Sequence, residues 1–456
     1  MKIYLNIALL CISVSIYAQH VQLNNNESLE FHTKSNYIRC ISTEYENDLQ
    51  KLNPKRASTA SFESWMADEI NSEQKKYSVE NTNVIFTLPV VIHVIHNGDA
   101  IGASENISTA KALSQITVLN QDFRRMLGTN GFNSDAVGAD IEIEFCMAQR
   151  TPGGAATNGI NRVDRNIAQW EMKSDVENMK IETQWDPTQY FNIWVVYFTD
   201  SNSFPTNTGG LSNVLGYAQF PETTLAGISS NPNAETDGIV LDFRCFGSSE
   251  IANGSYFSAY NLGRTATHEV GHSLGLRHIW GDNTSCTVNA TDSFKDFCPD
   301  TPATTKGNEN CLQIYNSCIN AAGNDMTENY MDYTNDSCLN LFTNNQKTRM
   351  RTVMQNSPRR SSLRTSTVCQ SLSNPNFDQL NDVQLYPNPV QNVLYITNSN
   401  SFDSYEIFNS MGQQVASAKS VTDNSLQIDV SKYSAGLYFI KIYKDTQSKT
   451  QKFIKY

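Results

Sequence analysis

Three of the chain's seven histidines lie close together, in the segment HEVGHSLGLRH at residues 268–278. If this segment begins as a helix, His268 and His272 lie one turn apart on the same face, where two imidazole nitrogens can bind one zinc ion. Glu269 lies near the metal rather than on it, and its carboxylate can take a proton from a zinc-bound water. The residue types and their spacing therefore predict a catalytic metal site.

The third histidine requires a break in the helix. His278 follows His272 by six residues, so on a continuous helix its ring would point away from the metal. Gly275 supplies the break, because glycine enters the left-handed conformation without steric cost. Three neutral imidazoles leave an open position for water, as catalytic zinc requires. The alternative is that these are buried, satisfied helix residues. His93 and His96, three apart on a predicted strand, face opposite sides and are expected to be ordinary sheet residues.

The elements that must position these residues begin at Phe86, where the segment FTLPVVIHVIH predicts a strand. Further strands are predicted for IEIEFCMA, YFNIWVVYF and DGIVLDF, and helices for STAKALSQITVLNQDFRRM and NQKTRMRTVMQ. This order indicates a sheet with helices packed on it. Residues 283–342 are rich in Asn, Asp, Thr and Cys and are expected to form loops held by disulfides.

The two ends of the chain differ from this central domain. Residues 19–80 are polar and predict one short helix, STEYENDLQKL (Ser42–Leu52), with Ser42 or Thr43 as its cap. At the other end, a polar linker precedes short alternating strands separated by Asn, Gly and Pro turns. That pattern is typical of a small antiparallel sandwich.

The first residues indicate export. Lys2 precedes an apolar stretch at residues 3–17, and Ala18 offers a small residue for cleavage, which is the pattern of a secretory signal peptide. About fifteen apolar residues fall short of the roughly 20 that a membrane-spanning helix needs. A formal charge of -12 and the lack of a long run of Lys and Arg argue against nucleic acid as a partner.

Export implies an oxidising compartment, so the cysteines are expected to form disulfides. The sequence has ten cysteines, and removal of Cys11 with the signal peptide leaves an odd number. One cysteine is therefore expected to stay unpaired. The candidate is Cys40, which lies alone in the polar segment far from the others.

The extended histidine motif resembles that of the metzincin metallopeptidases. The segment ENYMDY supplies the methionine turn of those enzymes, with Met331 and Tyr333. With the cysteine-rich insertion and GYAQFP at residues 216–221, the motifs look most like the pappalysin family, including ulilysin-like bacterial secreted enzymes, over residues 86–370. The resemblance implies an α/β (α+β) metzincin-type catalytic domain with a twisted mixed sheet and a zinc-binding active-site helix. It also implies a secreted zinc-dependent endopeptidase.

The same resemblance assigns roles to single residues. The three histidines would bind zinc, and Glu269 would pass the proton of the attacking water to the leaving amine. Met331 would form a hydrophobic floor. Tyr333 would stabilise the oxyanion that forms when water adds to a peptide carbonyl.

Family pairings imply disulfides between Cys286 and Cys318 and between Cys311 and Cys338. The pairing of the other four, which allow three connectivities, stays open: Cys146, Cys245, Cys298 and Cys369.

A segment after the zinc motif, DFCPDTP at residues 296–302, matches one that helps to bind calcium in relatives. Asp296, Asp300 and Thr301 are therefore candidate oxygen ligands for calcium. The alternative is a solvated acidic loop.

Cys40, preceded by Arg39, has a role in family members that are made as cysteine-switch zymogens. Its thiolate would lie on the open zinc position and exclude water until cleavage between about Lys55 and Phe86. The alternative is a free or mispaired thiol. Relatives that prefer arginine after the scissile bond place an aspartate where this chain has Ser337, with Asp336 next to it, so the preference of the pocket stays open.

The tail resembles the type A C-terminal sorting domain of Bacteroidetes proteins that are exported by the type IX secretion system. The likeness is carried by LYPNPVQNVLYI, IFNSMGQQV and SAGLYFIKI. It implies a protein that is secreted or attached to the cell surface, via periplasm and outer membrane, with the secretion machinery and protein or peptide substrates as partners and no transmembrane helix in the mature form. A substrate-binding sandwich is the alternative.

The expected organisation is a signal peptide (1–18), a propeptide (19–80), a catalytic domain (81–370), a linker (371–381) and a sorting domain (382–456). Two other functions stay open. One is a catalytically silent surface adhesin with the metzincin fold, and the other is zinc-dependent hydrolysis of a small non-peptide substrate.

Overall fold

The computed structural model describes residues 37–77, 84–204, 206–229, 233–287, 296–370, 383–397, 402–419, 425–444 and 447–456. The chain divides into two compact units, with the boundary between Cys369 and Gln370. The predicted signal peptide and linker lie outside the described residues.

The described part of the first unit contains seven α-helices, three short 3-10 helices and six strands. The helices are α1 (Ser42–Leu52), α2 (Thr59–Tyr77), α3 (Thr109–Phe123), α4 (Lys173–Thr183), α5 (Arg264–Ser273), α6 (Asn344–Asn356) and α7 (Pro358–Leu363). The strands are β1 (Phe86–His96), β2 (Ile143–Met147), β3 (Ile160–Asp164), β4 (Phe191–Val196), β5 (Gly216–Ala218) and β6 (Ile239–Asp242).

The sheet of the first unit is mixed. Its described strands run in the order β2-β1-β4-β6-β5, and β3 pairs with the second half of β1. All pairs are parallel except that β5 runs antiparallel to β6 at the edge. Strands β1, β4 and β6 are buried along nearly their whole length, as expected for strands that are covered on both faces. The predicted α/β class with a mixed sheet is confirmed.

Two apolar clusters cover the two faces of this sheet, because successive side chains of a strand point to opposite faces. One cluster joins Val90 and Ile193 to helices α2, α3, α5 and α6. The other joins Ile95 and Trp194 to helices α1 and α4. Helix α5, which carries the histidine motif, and helix α1 therefore belong to different clusters.

Residues 37–77 contain two helices where the sequence pattern predicts one. The predicted helix α1 is present, but its predicted cap is wrong. Ile41 holds the cap position without a side-chain bond, because the Ser42 hydroxyl is bonded to Glu269 instead. The unpredicted helix α2 buries Phe62 and Met66 in the first cluster.

The described strands of the second unit are β7 (Leu385–Tyr386), β8 (Val393–Thr397), β9 (Ser404–Asn409), β10 (Gln414–Lys419), β11 (Ser425–Asp429), β12 (Gly436–Lys444) and β13 (Gln447–Lys455). They form two antiparallel sheets, ordered β10-β9-β12-β13 and β11-β8-β7. Side chains from both sheets, including Ile396 and Ile407, share one core. The predicted all-β tail is confirmed. Across the described ranges of both units, no helix combines the length and the apolar character needed to cross a membrane.

Candidate zinc site

Helix α5 ends just before the point where the chain must turn back to bring His278 to the other two histidines. Its last residue is Ser273, and Gly275 follows with a φ of 87°, in the left-handed region that glycine favours. The chain reverses there. As a result, the ring of His278 lies 4.6 Å from that of His272 and 5.2 Å from that of His268, measured between ring centroids.

The three imidazoles converge through the same ring nitrogen. Nε2 of His272 lies 3.1 Å from Nε2 of His268 and 3.1 Å from Nε2 of His278. Each Nδ1 bonds outward to an oxygen of the protein: the Tyr330 carbonyl at 2.7 Å, the Leu276 carbonyl at 2.9 Å and Oδ1 of Asp282 at 2.6 Å. A ring whose Nδ1–H donates outward carries its lone pair on Nε2.

This arrangement fits a divalent cation. Lone pairs that face one another at 3.1 Å repel unless a positive charge lies among them. A proton is a poor substitute, because burial lowers the pKa values of His268 and His272 well below the usual range. Three histidine nitrogens with a fourth position left over are the donor set of catalytic zinc.

Glu269 lies fully buried beside the imidazoles. Its Oε2 accepts a hydrogen bond of 2.7 Å from Oγ of Ser42 and lies 3.5 Å from Sγ of Cys40. Its Oε1 accepts no hydrogen bond from the described residues. Burial raises the pKa of Glu269 to about 7, although the bonds from Ser42 and Cys40 act in the other direction. Such a carboxyl group can accept and return a proton near neutral pH.

Met331 and Tyr333 lie on two sides of the histidines. Met331 is fully buried against helix α5, where a Cβ added at Gly271 would lie only 2.5 Å from its sulfur. The ring of Tyr333 lies 4.9 Å from that of His278, and its hydroxyl donates to the carbonyl of Cys40 at 3.3 Å. Burial raises the pKa of Tyr333 well above its usual value, so this hydroxyl stays a neutral donor.

Cys40 meets the three histidines. Its Sγ and one nitrogen of each ring all lie within 4.8 Å of one another, and all four residues are buried. Burial and the Glu269 carboxylate raise the pKa of the Cys40 thiol well above its usual value. A nearby cation would therefore be needed to favour the thiolate.

The segment around Cys40 runs along the edge of the sheet. Ile38 forms a parallel bridge with Val214, and the backbone N–H of Leu215 donates to its carbonyl at 2.9 Å. The N–H of Ala218 in β5 donates to the Ser42 hydroxyl at 2.8 Å. Residues 37–42 therefore fill the edge that borders the imidazoles.

Arg39 is buried in a polar pocket next to Cys40. Its guanidinium lies 3.3 Å from Oδ1 of Asp336 and 5.0 Å from the ring centre of Tyr260. Oδ2 of Asp336 accepts hydrogen bonds from the backbone N–H groups of Leu262 and Arg264, at 2.9 Å and 3.1 Å. The carboxylate that meets a basic side chain here is thus Asp336, and not the residue at position 337.

Three disulfides join described residues: Cys286 to Cys318, Cys311 to Cys338 and Cys146 to Cys369. The first two are the pairs that the resemblance implies. The expectation of a single unpaired cysteine is wrong, because Cys245 and Cys298 are free besides Cys40. Both are buried, and Cys245 belongs to the apolar cluster that contains helix α5, where a thiol packs as a small apolar group.

The three candidate calcium ligands do not share one set of contacts. Oδ2 of Asp296 accepts from the Thr301 hydroxyl at 2.8 Å. Asp300 instead turns to the start of helix α6, where it accepts from Thr343 at 2.7 Å and from the N–H of Asn345 at 2.8 Å. Acidic side chains are favourable at a helix N-terminus.

Sequence reasoning missed Asp282, which orients the third histidine. It lies four residues after His278, and a carboxylate within reach of a ligand's second nitrogen is the signal that could have found it. Its other oxygen accepts from the Thr43 hydroxyl at 2.7 Å. The role of Ser42 at Glu269 was also missed, because the pattern assigned that residue to a helix cap.

Two family profiles match the chain. The profile described as pregnancy-associated plasma protein-A matches residues 174–355. The profile described as a secretion system C-terminal sorting domain matches residues 384–456.

Fungal extracellular metalloproteases are among the similar proteins. One from Arthroderma otae is 30% identical over 269 residues, which are 59% of this chain and 78% of the relative. One from Colletotrichum graminicola is 31% identical over 265 residues, which are 58% of this chain and 74% of the relative.

Solved structures of mirolysin are similar as well. Mature mirolysin of Tannerella forsythia in complex with a cleaved peptide is 38% identical, with a TM-score of 0.51, and the match covers 65% of this chain and 100% of that chain. A promirolysin mutant is 34% identical, with a TM-score of 0.52, and the match covers 68% of this chain and 94% of that chain.

These findings agree with the histidine motif and with the likeness of the tail. The sorting domain and the extracellular relatives identify a protein that is secreted or attached to the cell surface. The chain belongs to the pappalysin family of zinc metalloendopeptidases.

Proposed function

We propose that this chain is the latent precursor of a secreted zinc endopeptidase, and that residues 37–42 block its cleft until they are removed. One observation carries the proposal: Sγ of Cys40 lies with one nitrogen of His268, His272 and His278, all four atoms within 4.8 Å of one another. A thiolate in this position would complete a four-coordinate zinc site and leave no room for water.

The three imidazoles would hold the zinc ion, which when bound supplies a Lewis acid that polarises a peptide carbonyl and makes water more acidic. Glu269 would accept the proton of the attacking water and return it to the leaving amine. Its carboxylate is bonded to Ser42 in the precursor, so departure of residues 37–42 would free it for this role.

Tyr333 would stabilise the oxyanion. Its hydroxyl donates to the carbonyl of Cys40, which stands here for the carbonyl of a substrate residue. A phenol is neutral near pH 7 even at its usual pKa of about 10. The hydroxyl would therefore be an available donor once the propeptide has left. Met331 would shape the floor of the site through its contact with helix α5.

The precursor segment would resist cleavage by its direction and its contacts. It pairs in parallel with the edge at Val214. Once the segment has left, the N–H and C=O groups of this edge would be free to pair with an extended substrate. Contacts on both sides of Cys40, through Arg39 and Ser42, hold the thiol among the imidazoles.

The pocket of Arg39 would take a basic side chain of the substrate. Asp336 is almost fully buried and faces the Arg39 guanidinium, and Tyr260 adds an aromatic face next to it. The sequence left this preference open, and the ion pair supports a pocket for arginine.

The adhesin alternative is not favoured, because Glu269 and Tyr333 both lie beside the histidines, with their polar groups bonded to residues 37–42. Calcium at Asp296, Asp300 and Thr301 stays a prediction, and the choice of chelator tests it separately from zinc.

The test compares the full chain with its processed form on a fluorogenic peptide that has arginine after the scissile bond. We expect the full chain to be silent and the processed form to hydrolyse the peptide. A zinc-selective chelator such as 1,10-phenanthroline should abolish the activity, and added zinc should restore it. A loss caused by a calcium-selective chelator and reversed by calcium would support the calcium prediction.

Two cysteine variants of the full chain test the latency. Cys40→Ala should hydrolyse the peptide before processing or mature early. Cys298→Ala, which removes another buried free thiol that is not part of the group formed by Cys40 and the histidines, should stay latent. Equal latency of Cys40→Ala and the unchanged chain would contradict the cysteine switch, and an inactive processed form would contradict the endopeptidase.

A further inference from the structure

We propose that helix α2 (Thr59–Tyr77) stays in the mature enzyme, that its Glu63 positions the turn that carries His278, and that activation cuts the chain within residues 53–58. The proposal rests on the proposed latency of the precursor. It moves the end of the removable segment, expected at residue 80, to the N-terminal side of α2.

Helix α2 is part of the core that supports the zinc site. Phe62, Trp65 and Met66 are each at most 5% exposed, and all belong to the cluster that contains helix α5. The Trp65 indole also donates to the Thr224 hydroxyl at 3.0 Å. A mature form without this helix would expose the apolar residues of helices α5 and α6 that these side chains cover.

The helix reaches the turn after the second histidine directly. A Cβ added at Gly275 would lie 3.3 Å from the terminal carbon of Met66 and 3.4 Å from the ring of Phe62. The side chains of α2 therefore form one wall of the turn through which the chain returns to the metal. A loss of that wall would leave the turn without packing on this side.

Glu63 adds a charged clamp at the same turn. Its Oε1 accepts from Nε of Arg277 at 3.0 Å and from Arg349 at 3.1 Å, and its Oε2 lies 2.8 Å from the second Arg349 nitrogen. Arg349 also donates to the carbonyl of Gly275 at 2.9 Å. Arg277 directly precedes His278, and Arg349 is bonded to Gly275. Through these two arginines Glu63 therefore holds both ends of residues 275–277, which lead to the third histidine.

All three groups of this clamp are buried, so its members depend on one another. Burial by itself would raise the pKa of Glu63, but the guanidiniums of Arg349 and Arg277 hold that pKa below its usual value. Removal of Glu63 with a propeptide would take away the carboxylate that pairs with both guanidiniums next to the zinc motif.

Helix α1 packs on a different part of the core from α2. Tyr45 and Leu49 pack in the second cluster, on the other face of the sheet. The residues before it fill the cleft. Its Glu46 accepts hydrogen bonds from Arg56, which lies in the loop at residues 53–58. Removal of α1 with residues 37–41 opens the cleft, whereas removal of α2 would dismantle its support.

The loop between the two helices offers the bond for cleavage. Pro54, Lys55 and Ser58 are exposed, while Arg56 is held by Glu46. Cleavage is hydrolysis of one peptide bond, in which water gives its hydroxyl to the new carboxyl terminus and its proton to the new amino terminus. Loss of α1 then separates Glu46 from Arg56.

The first experiment reads the boundary from the full chain. The chain is matured by itself or by trace trypsin, which has sites at Lys55 and Arg56 before α2 and at Lys75 and Lys76 near its end. Intact mass, zinc content and peptide hydrolysis are followed together. We expect the zinc-loaded product to begin within residues 54–58. An active, zinc-loaded enzyme that lacks residues 59–77 would overturn the proposal. A product that keeps α2 and zinc but hydrolyses nothing would support it and contradict the proposed function instead.

The second experiment isolates Glu63 in the processed enzyme. Glu63→Gln is expected to weaken zinc binding by about 10-fold, the lower end of the loss that follows removal of a group bonded to a metal ligand, because Glu63 acts on His278 through Arg277. It should also change the visible spectrum of the cobalt-substituted site. Trp65→Phe, on the same helix, should lower stability but leave zinc affinity and spectrum unchanged. Glu63→Asp, which keeps the charge, should lie between them. Equal zinc affinity and spectra for Glu63→Gln and Trp65→Phe would show that Glu63 only supports packing.

Discussion

Replacing Arg39 with alanine is expected to weaken the latency of the precursor by about 100-fold. The Arg39 side chain and its partner Asp336 are both at most 2% exposed, and the guanidinium lies 3.3 Å from the carboxylate. Removal of one partner of a buried ion pair costs about 3 to 5 kcal/mol. We take the lower value, about 3 kcal/mol, because Asp336 keeps its two backbone N–H donors. That energy corresponds to roughly a 100-fold rise in the open form.

The assay measures the first-order rate of maturation and the initial rate of peptide hydrolysis by freshly purified full chain. Arg39→Ala should raise both. Arg39→Lys keeps the positive charge but loses the forked geometry, and it should give a smaller rise. Arg165→Ala, which breaks an ion pair with Glu182 at the surface, should change neither rate.

The processed enzyme provides an internal control, because Arg39 is absent from it. Its kcat/KM should be the same whether it comes from the unchanged chain or from Arg39→Ala. Asp336→Asn, by contrast, should weaken latency and also reduce the kcat/KM for peptides with arginine in the pocket. If Arg39→Ala matures within about threefold of the unchanged chain, the ion pair does not hold the precursor closed.

Three further predictions concern the site and the stability of the fold. In the processed enzyme, Tyr333→Phe should lower kcat by about 10²- to 10³-fold with little change in KM, as loss of an oxyanion donor does, and an unchanged kcat would exclude that role. Burial lowers the pKa of His93 to about 4. Below pH 6.5 the unfolded chain therefore binds a proton that the folded chain does not, and about 2 kcal/mol of stability should be lost between pH 7.5 and pH 5. Denaturant unfolding of His93→Gln at both pH values should lack that loss. Replacing Cys146 and Cys369 together with serine, which removes a disulfide spanning 223 residues, should lower stability by about 2 to 5 kcal/mol. Thermal unfolding under oxidising conditions measures this loss, and an unchanged midpoint would contradict the prediction.

Local patterns in the sequence are sufficient for the parts of the site that lie close together along the chain. The histidines at residues 268, 272 and 278 and the glycine at 275 specify a helix, a break and a return, because their geometry follows from helix periodicity and from one left-handed residue. The long apolar runs of β1 and β4 likewise identify buried strands. The resemblance of the methionine turn adds Met331 and Tyr333.

Contacts between distant parts of the chain could not be predicted in this way. Arg39 meets Asp336 across 297 positions, and Ser42 meets Glu269 across 227. In each case the local pattern pointed elsewhere. Position 337 holds serine, so the preference of the pocket stayed open, and Ser42 was expected to cap a helix. Side-chain bonds of this length depend on the folded topology.

Helix α2 is an intermediate case. Phe62, Trp65, Met66 and Ile70 recur at helical spacing, so a helix was predictable, but the polar composition of residues 19–80 pointed to a segment without a core. The apolar stripe of α2 has no partner within that segment. It is stabilised by the cluster that contains α5 and α6, and only the folded structure reveals that partner.

The central claim is that three imidazoles hold one zinc ion beside a carboxylate that moves the proton of water. The most direct measurement determines zinc content and kcat/KM together, for the processed enzyme and for its Glu269→Gln variant. We predict one zinc per chain in both and a loss of kcat/KM of about 10²- to 10⁴-fold in the variant. A processed enzyme that hydrolyses peptides without bound metal, or a Glu269→Gln variant with undiminished activity, would contradict the account.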